Sequence, residues 1–84
     1  MKTQDEIIEL INGHTREVVL TLEHHVFKPD DSLKALGANS IDRADIIMMT
    51  LESLGVSIPL RFMAKADNIA DLARIIHEFK GDNA

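Results

Sequence analysis

Eighty-four residues make one small domain and leave no room for a second, and at that length folding removes only about 60–65% of the surface that the unfolded chain exposes. The absence of cysteine excludes a disulfide framework, a thiolate nucleophile and a cysteine-ligated zinc site. A net charge of −5, from 14 acidic against 9 basic residues with no basic run, excludes a phosphate-tracking nucleic-acid surface and points to a partner with a basic face.

Taken in order, Thr3-Gln4-Asp5-Glu6 matches a capping box, so a first helix is expected to begin there. Ile7, Ile11, Val18 and Leu22, with Ile8, Leu10, Val19 and Val26 beside them, recur as one wide apolar stripe at helical spacing. Gly13 lies inside that stripe and is expected to bend or weaken the helix. The run Glu23 to Ser32 loses periodicity, and Pro29 turns Lys28 away from helical angles, which opens a long loop. Leu33 and Leu36, three apart, are expected to form a short turn that pins this loop to the core.

Ser40 to Leu54 contains neither Gly nor Pro and carries the most apolar helix of the chain, which Gly55 ends. Val56 to Leu60 reads as extended, and Arg61 to Ala66 as one short helical turn. Asn68, with Asp71 three residues on, opens a last helix whose inward seam is Ile69, Leu72, Ile76 and Phe79. Gly81 to Ala84 reads as a disordered polar tail. The expected class is all-α, three longer helices and one short one with a long loop between the first two, forming a single domain over residues 1–84. No apolar run approaches the roughly 20 residues of a membrane span. Met1-Lys2-Thr3-Gln4-Asp5-Glu6 turns acidic where a signal peptide would turn apolar, so a cytoplasmic protein off the membrane is expected; a monomer is expected as well.

The junction Leu36-Gly37-Ala38-Asn39-Ser40-Ile41-Asp42 places a serine where a loop becomes a helix. A serine in such a position is usually an N-cap. Were Ser40 the cap, the third helical residue would be Arg43, a cation at the positive end of the helix dipole. With Asn39 as cap, Asp42 takes that third position and the charges agree. Ser40 then becomes the first helical residue, and its hydroxyl is released from capping. A phosphate ester on that hydroxyl would lie beside unpaired backbone N–H groups. Serine catalysis is a poor fit, because no Gly-x-Ser-x-Gly elbow surrounds Ser40, although His14, His24, His25 and His77 are all available as partners in principle. Ser32, Ser53 and Ser57 lack the junction altogether.

This junction, followed by an amphipathic helix and then Gly55-Val56-Ser57-Ile58-Pro59, resembles the acyl carrier proteins over nearly the whole chain. The resemblance implies a non-enzymatic four-helix carrier with 4'-phosphopantetheine on Ser40, flanked by Asn39 and Asp42. A separate, magnesium-dependent phosphopantetheinyl transferase would deliver the arm from coenzyme A, and the arm's thiol would hold the acyl group as a thioester. Asn39-Ser40-Ile41 stands where the family most often has Asp-Ser-Leu, and Arg43 adds a cation to a helix that is usually more acidic. These departures fit a specialised carrier.

The run Gly37 to Ile46 is similar to free-standing donor carriers of polyketide β-branching cassettes, which supply a malonyl-derived acetyl unit to an HMG-CoA-synthase-like enzyme. Acyltransferases and ketosynthase-like enzymes are the other implied partners, and polyketide or fatty acid synthesis the implied setting. The resemblance further implies a partner-binding face of Ile41, Ala44, Asp45, Met48, Leu51 and Glu52. Ile46, Ile47 and Leu54 would then face the core, with Met49 at the boundary. Periodicity alone favours the opposite assignment, in which Ile41, Met48 and Leu51 are core. His24-His25 reads as a solvated helix end, since adjacent helical residues point about 100° apart and no third ligand follows, so no metal site is expected. Two alternatives share these features: a peptidyl or aminoacyl carrier, and a helical adaptor that receives no cofactor.

Overall fold

A reciprocal capping box starts the first helix, α1 (Gln4–Val18), where the sequence predicts it. The Glu6 backbone N–H donates to Thr3 Oγ1 at 3.2 Å, and the Thr3 N–H donates to Glu6 Oε1 at 3.3 Å. The computed structural model describes residues 3–82; the expectations for Met1, Lys2, Asn83 and Ala84 lie outside the described residues.

α1 runs unbroken through Gly13 and ends at Val18, before Leu22 and Val26 of the predicted stripe. Val19 turns extended, and a 3₁₀ turn follows over Leu20–Leu22. Of the stripe, Ile7, Ile11 and Leu22 are buried, but Val26 is 81% exposed because the chain has left the helix by then. Thr15 and Thr50 are fully buried, each donating its hydroxyl to the carbonyl four residues back, Ile11 at 2.6 Å and Ile46 at 2.8 Å. That local bond removes the cost of burying the hydroxyl. A Cβ built on Gly13 meets nothing within 4 Å. Gly13→Ala is therefore expected to raise stability by up to about 1 kcal/mol, read as a higher midpoint in thermal or urea unfolding.

The loop between α1 and the second helix, α2 (Ser40–Leu54), is tied down at both ends. Arg16 donates to the His25 carbonyl at 3.2 Å and lies over the Phe27 ring, 4.9 Å from its centroid. Further on, the carbonyls of Asp31 and Pro29 accept from the N–H groups of Ile69 (2.9 Å) and Ala70 (2.8 Å). These are the first amides of the third helix, α3 (Ile69–Asp82), which have no acceptor within their own helix. α3 continues through Gly81 and Asp82, where composition predicts a tail.

Asp31 holds this part of the loop in shape. Its carboxylate accepts the Lys28 N–H at 2.9 Å and lies 3.1 Å from His25 Nε2. The Lys28 hydrogen bond first, then that from His25, lowers the Asp31 pKa below its ordinary value. A carboxylate with a lowered folded-state pKa stabilises fully above its unfolded value, here near 3.8, and loses that contribution as pH falls through the folded value. Asp31→Asn is expected to be less stable than wild type at neutral pH, with the gap narrowing on acidification below about 4. Melting temperatures of both proteins across a pH series check this.

α1 is the shared neighbour of α2 and α3. One core cluster gathers Ile7 and Ile11 of α1, Ile46 and Leu51 of α2, and Ile69, Leu72, Ala73 and Ile76 of α3, with Leu33, Ile58 and Met63 from the connections. The short fourth element is a 3₁₀ turn over Leu60–Met63, earlier and tighter than the predicted Arg61 to Ala66, because Pro59 fixes the entry and its carbonyl accepts the Phe62 N–H at 3.1 Å. Among the described residues the architecture is thus all-α, three α-helices with two 3₁₀ turns.

Candidate functional site

The loop from Leu33 to Asn39 aims the start of α2. Leu33 is buried, and its carbonyl accepts the Ala38 N–H at 3.0 Å, while the Gly37 N–H donates to Lys34 at 3.1 Å. This tight return needs Gly37 at φ +105°, a conformation that side chains rarely adopt. Ala38 is then buried directly before the cap residue Asn39, and its carbonyl accepts from Arg43 Nη1 at 2.7 Å.

Asn39 is the cap. Its Oδ1 accepts the Asp42 N–H at 2.8 Å, and Asp42 Oδ2 accepts the Asn39 N–H at 3.3 Å, a capping box with Asn in place of the more common Ser or Thr. Ser40 is the first residue of α2, not its cap, as the sign of the helix dipole favours. It is exposed, and among the described residues its hydroxyl makes no hydrogen bond. The backbone N–H groups of Ser40 and Ile41 likewise have no protein acceptor there. A free hydroxyl beside two unpaired N–H groups and a positive dipole end suits a covalently attached phosphodiester.

It does not suit nucleophilic catalysis, because no histidine reaches Ser40. His14 Nε2 is 3.1 Å from Ser53 Oγ, His25 is held by Asp31, and His24 is exposed. Glu17 lies 3.8 Å from His14 Nδ1, so Ser53, His14 and Glu17 form a serine–histidine–acid line. Ser53 nevertheless sits in the body of α2, where the backbone N–H groups are committed to the helix and none remains for an oxyanion. No group of three or more candidate metal ligands occurs among the described residues.

The face of α2 divides more sharply than spacing suggests. Ile41 is 70% and Met48 56% exposed, with Asp45 and Glu52 exposed between and beyond them. These four positions, i, i+4, i+7 and i+11, are one helical stripe. Ala44 is half-buried at its edge. Ile46 is fully buried, and Ile47, Leu54 and Met49 are half-buried, which agrees with the expected core side and boundary.

Leu51 is the correction: it is 6% exposed and belongs to the core. Eleven residues after Ser40, it returns to within about 20° of it around the helix, so spacing groups the two. The chain reverses at Gly55, with φ +68°, and the Val56 N–H bonds the Leu51 carbonyl at 3.1 Å. Ile58 then joins Leu51 in the same core cluster, whereas Ser40 and Ile41 at the other end are exposed among the described residues.

Sequence reasoning passed over Leu60 and Phe62, both 42% exposed on the 3₁₀ turn. Phe62 stacks obliquely on Phe79, ring centroids 5.6 Å apart, with the Arg61 guanidinium 5.1 Å from its centroid. The only available signal was the placing of two large apolar residues around Arg61 in a short connection.

The family model for the phosphopantetheine attachment site matches residues 17–76, a span that contains the whole junction. The polyketide biosynthesis acyl-carrier-protein AcpK of Bacillus subtilis (strain 168) is 39% identical over 75 residues, covering 89% of this chain and 92% of that protein. A chain in the crystal structure of the curacin biosynthetic pathway HMG synthase in complex with acetyl donor-ACP superposes with a TM-score of 0.84 at 40% identity, covering 89% of this chain and 96% of that one. No helix among the described residues is long and apolar enough to cross a membrane. With the family matched across this bundle and its junction, the chain belongs to the acyl carrier proteins, a family of carriers, not catalysts, whose prosthetic group is 4'-phosphopantetheine.

Proposed function

We propose that this protein is a cytoplasmic donor carrier of polyketide β-branching, a single carrier domain over residues 1–84. It holds its cargo on an arm attached to Ser40 and presents it to an HMG-CoA-synthase-like enzyme. The observation that carries the reading is the released Ser40 hydroxyl, exposed at the first position of a helix whose cap is supplied by Asn39 and Asp42. The pathway assignment is supported by the polyketide relative, and the partner by the HMG synthase complex in which the similar carrier was crystallised.

When bound, 4'-phosphopantetheine supplies a terminal thiol that holds an acyl unit as a thioester. This chain's part is to position and present. Buried Ala38 and the Asn39–Asp42 box hold Ser40 in one place, and the unpaired Ser40 and Ile41 N–H groups would be the donors available to a phosphodiester formed on the Ser40 oxygen. The stripe Ile41, Asp45, Met48 and Glu52 offers a partner an apolar contact flanked by acids, a usual composition for a protein contact site.

The test is to incubate the apo-protein with coenzyme A, magnesium and a broad-specificity phosphopantetheinyl transferase, and to follow intact mass. One phosphopantetheine per chain is expected. Acetyl-loaded carrier is then mixed with an HMG-CoA-synthase-like enzyme, which is expected to take the acetyl group. A chain that gains no mass would be the unmodified adaptor. A loaded chain that transfers acetyl to no such enzyme would keep the carrier class and lose the donor role.

A further inference from the structure

α2 and α3 both pack on α1 more than on each other, and α2 faces the loop before it, the Leu60–Met63 turn and the start of α3 across an open space. A cleft of about 480 Å³ remains there. Its α2 wall is formed by Arg43, Ala44 and Ile47, which with Ser40 fall at i, i+3, i+4 and i+7. An arm rooted on Ser40 therefore needs to run only about 10 Å, two turns of helix, to pass the length of that wall. The floor is apolar, with buried Leu33, Met63 and Leu72.

The charges of the cleft run against those of the chain. In a protein of net charge −5, the charged residues that line it are Lys34, Arg43 and one exposed acid, Asp67. Arg43 is half-buried, and neither cation has an ion-pair partner among the described residues. One guanidinium N–H is spent on the Ala38 carbonyl at 2.7 Å. The rest of the five-donor fork is left for an anion, and a planar fork matches a carboxylate in two parallel hydrogen bonds. Partial burial strengthens such a pair relative to one in open water.

We propose that this cleft is a binding site for the free carboxylate of a dicarboxylic acyl group, such as malonyl, carried on the arm, with Arg43 as the group that pairs with it and Lys34 as a second cation at the site. The inference rests on attachment at Ser40. A cargo that ends in a carboxylate is drawn back against the carrier, and an acetyl cargo, which has no carboxylate, is not held at Arg43. The carrier's own surface then distinguishes the two cargoes before any partner does.

The test uses uniformly ¹⁵N-labelled full-length protein, converted by the transferase to the unacylated, acetyl and malonyl forms and compared by ¹H–¹⁵N correlation spectra. Intact mass is taken for each form, and absence of any added mass would overturn the Ser40 attachment and this site together. With loading established, the malonyl form is expected to shift the Arg43 Nε–H resonance and the amides of Leu33, Ile47 and Met63, with no such shift in the acetyl form. Arg43→Gln is expected to abolish the malonyl-specific shifts.

Because Arg43 also holds Ala38, Lys34→Gln serves as the second variant: Lys34 is exposed and has no such contact, and its replacement is expected to reduce the same shifts. Identical acetyl and malonyl spectra would overturn the site. So would an Arg43 shift already complete in the unacylated form, which would assign the guanidinium to the arm's phosphodiester.

Discussion

Ser40→Ala is expected to remove all phosphopantetheine loading while leaving the fold's stability within about 0.5 kcal/mol of wild type. The two halves have separate physical causes. Loading needs an oxygen nucleophile at this position, and no other serine is placed to substitute: Ser53 lies in the body of α2, Ser57 lies in the connection after α2, and Ser32 is engaged through its Oγ with the Ala35 N–H at 3.3 Å. Stability is nearly indifferent, since the Ser40 hydroxyl bonds nothing among the described residues, the cap belongs to Asn39, and alanine is the better helix former. Intact mass after the transferase reaction and a urea midpoint measured on the same two samples check both halves. A markedly destabilised alanine variant would mean that Ser40 helps to hold the helix start, contrary to the cap geometry.

The second large effect separates Met48 from Leu51, three residues apart on α2. Met48→Glu is expected to leave helicity and midpoint close to wild type, since the side chain is 56% exposed, and to lower a partner enzyme's use of the loaded carrier by roughly tenfold or more, the 1–2 kcal/mol typical of losing a central interface anchor. Leu51→Ala is expected to do the reverse. Its side chain is 6% exposed within the core cluster, and truncation there costs about 2–5 kcal/mol, a large share of the stability of so small a domain. Circular dichroism midpoints, read beside turnover of the loaded carrier by its partner, separate the two. Loss of helicity in Met48→Glu would return that residue to the core.

Much of the architecture was legible because its signals are local. Both capping boxes, at Thr3 and at Asn39, are four-residue patterns whose bonds close within one turn, and Gly55 ends α2 in the left-handed conformation that only its own residue type takes readily. The seam Ile69, Leu72 and Ile76 is buried as its period predicts. The errors have one common origin. Val26, Leu51, the 3₁₀ turn at Leu60–Met63 and the continuation of α3 through Asp82 are all places where the number of residues per turn does not decide what covers a side chain or where a helix stops.

By itself, then, the sequence determined the junction: Asn39 as cap, Asp42 as its reciprocal partner and Ser40 as the released first residue follow from charge and hydrogen-bond geometry within a single turn. It also determined the helical class, through periodicity and the absence of breakers from Ser40 to Leu54. Only the tertiary structure decided which apolar residues of α2 face outward. Burial is set by what lies across from a residue, and the elements that cover Leu51 and leave Ile41 and Met48 bare are distant in the chain. The cleft near the start of α2, lined by Arg43 of α2 and Lys34 of the loop, exists for the same reason: its walls come from segments distant in the chain.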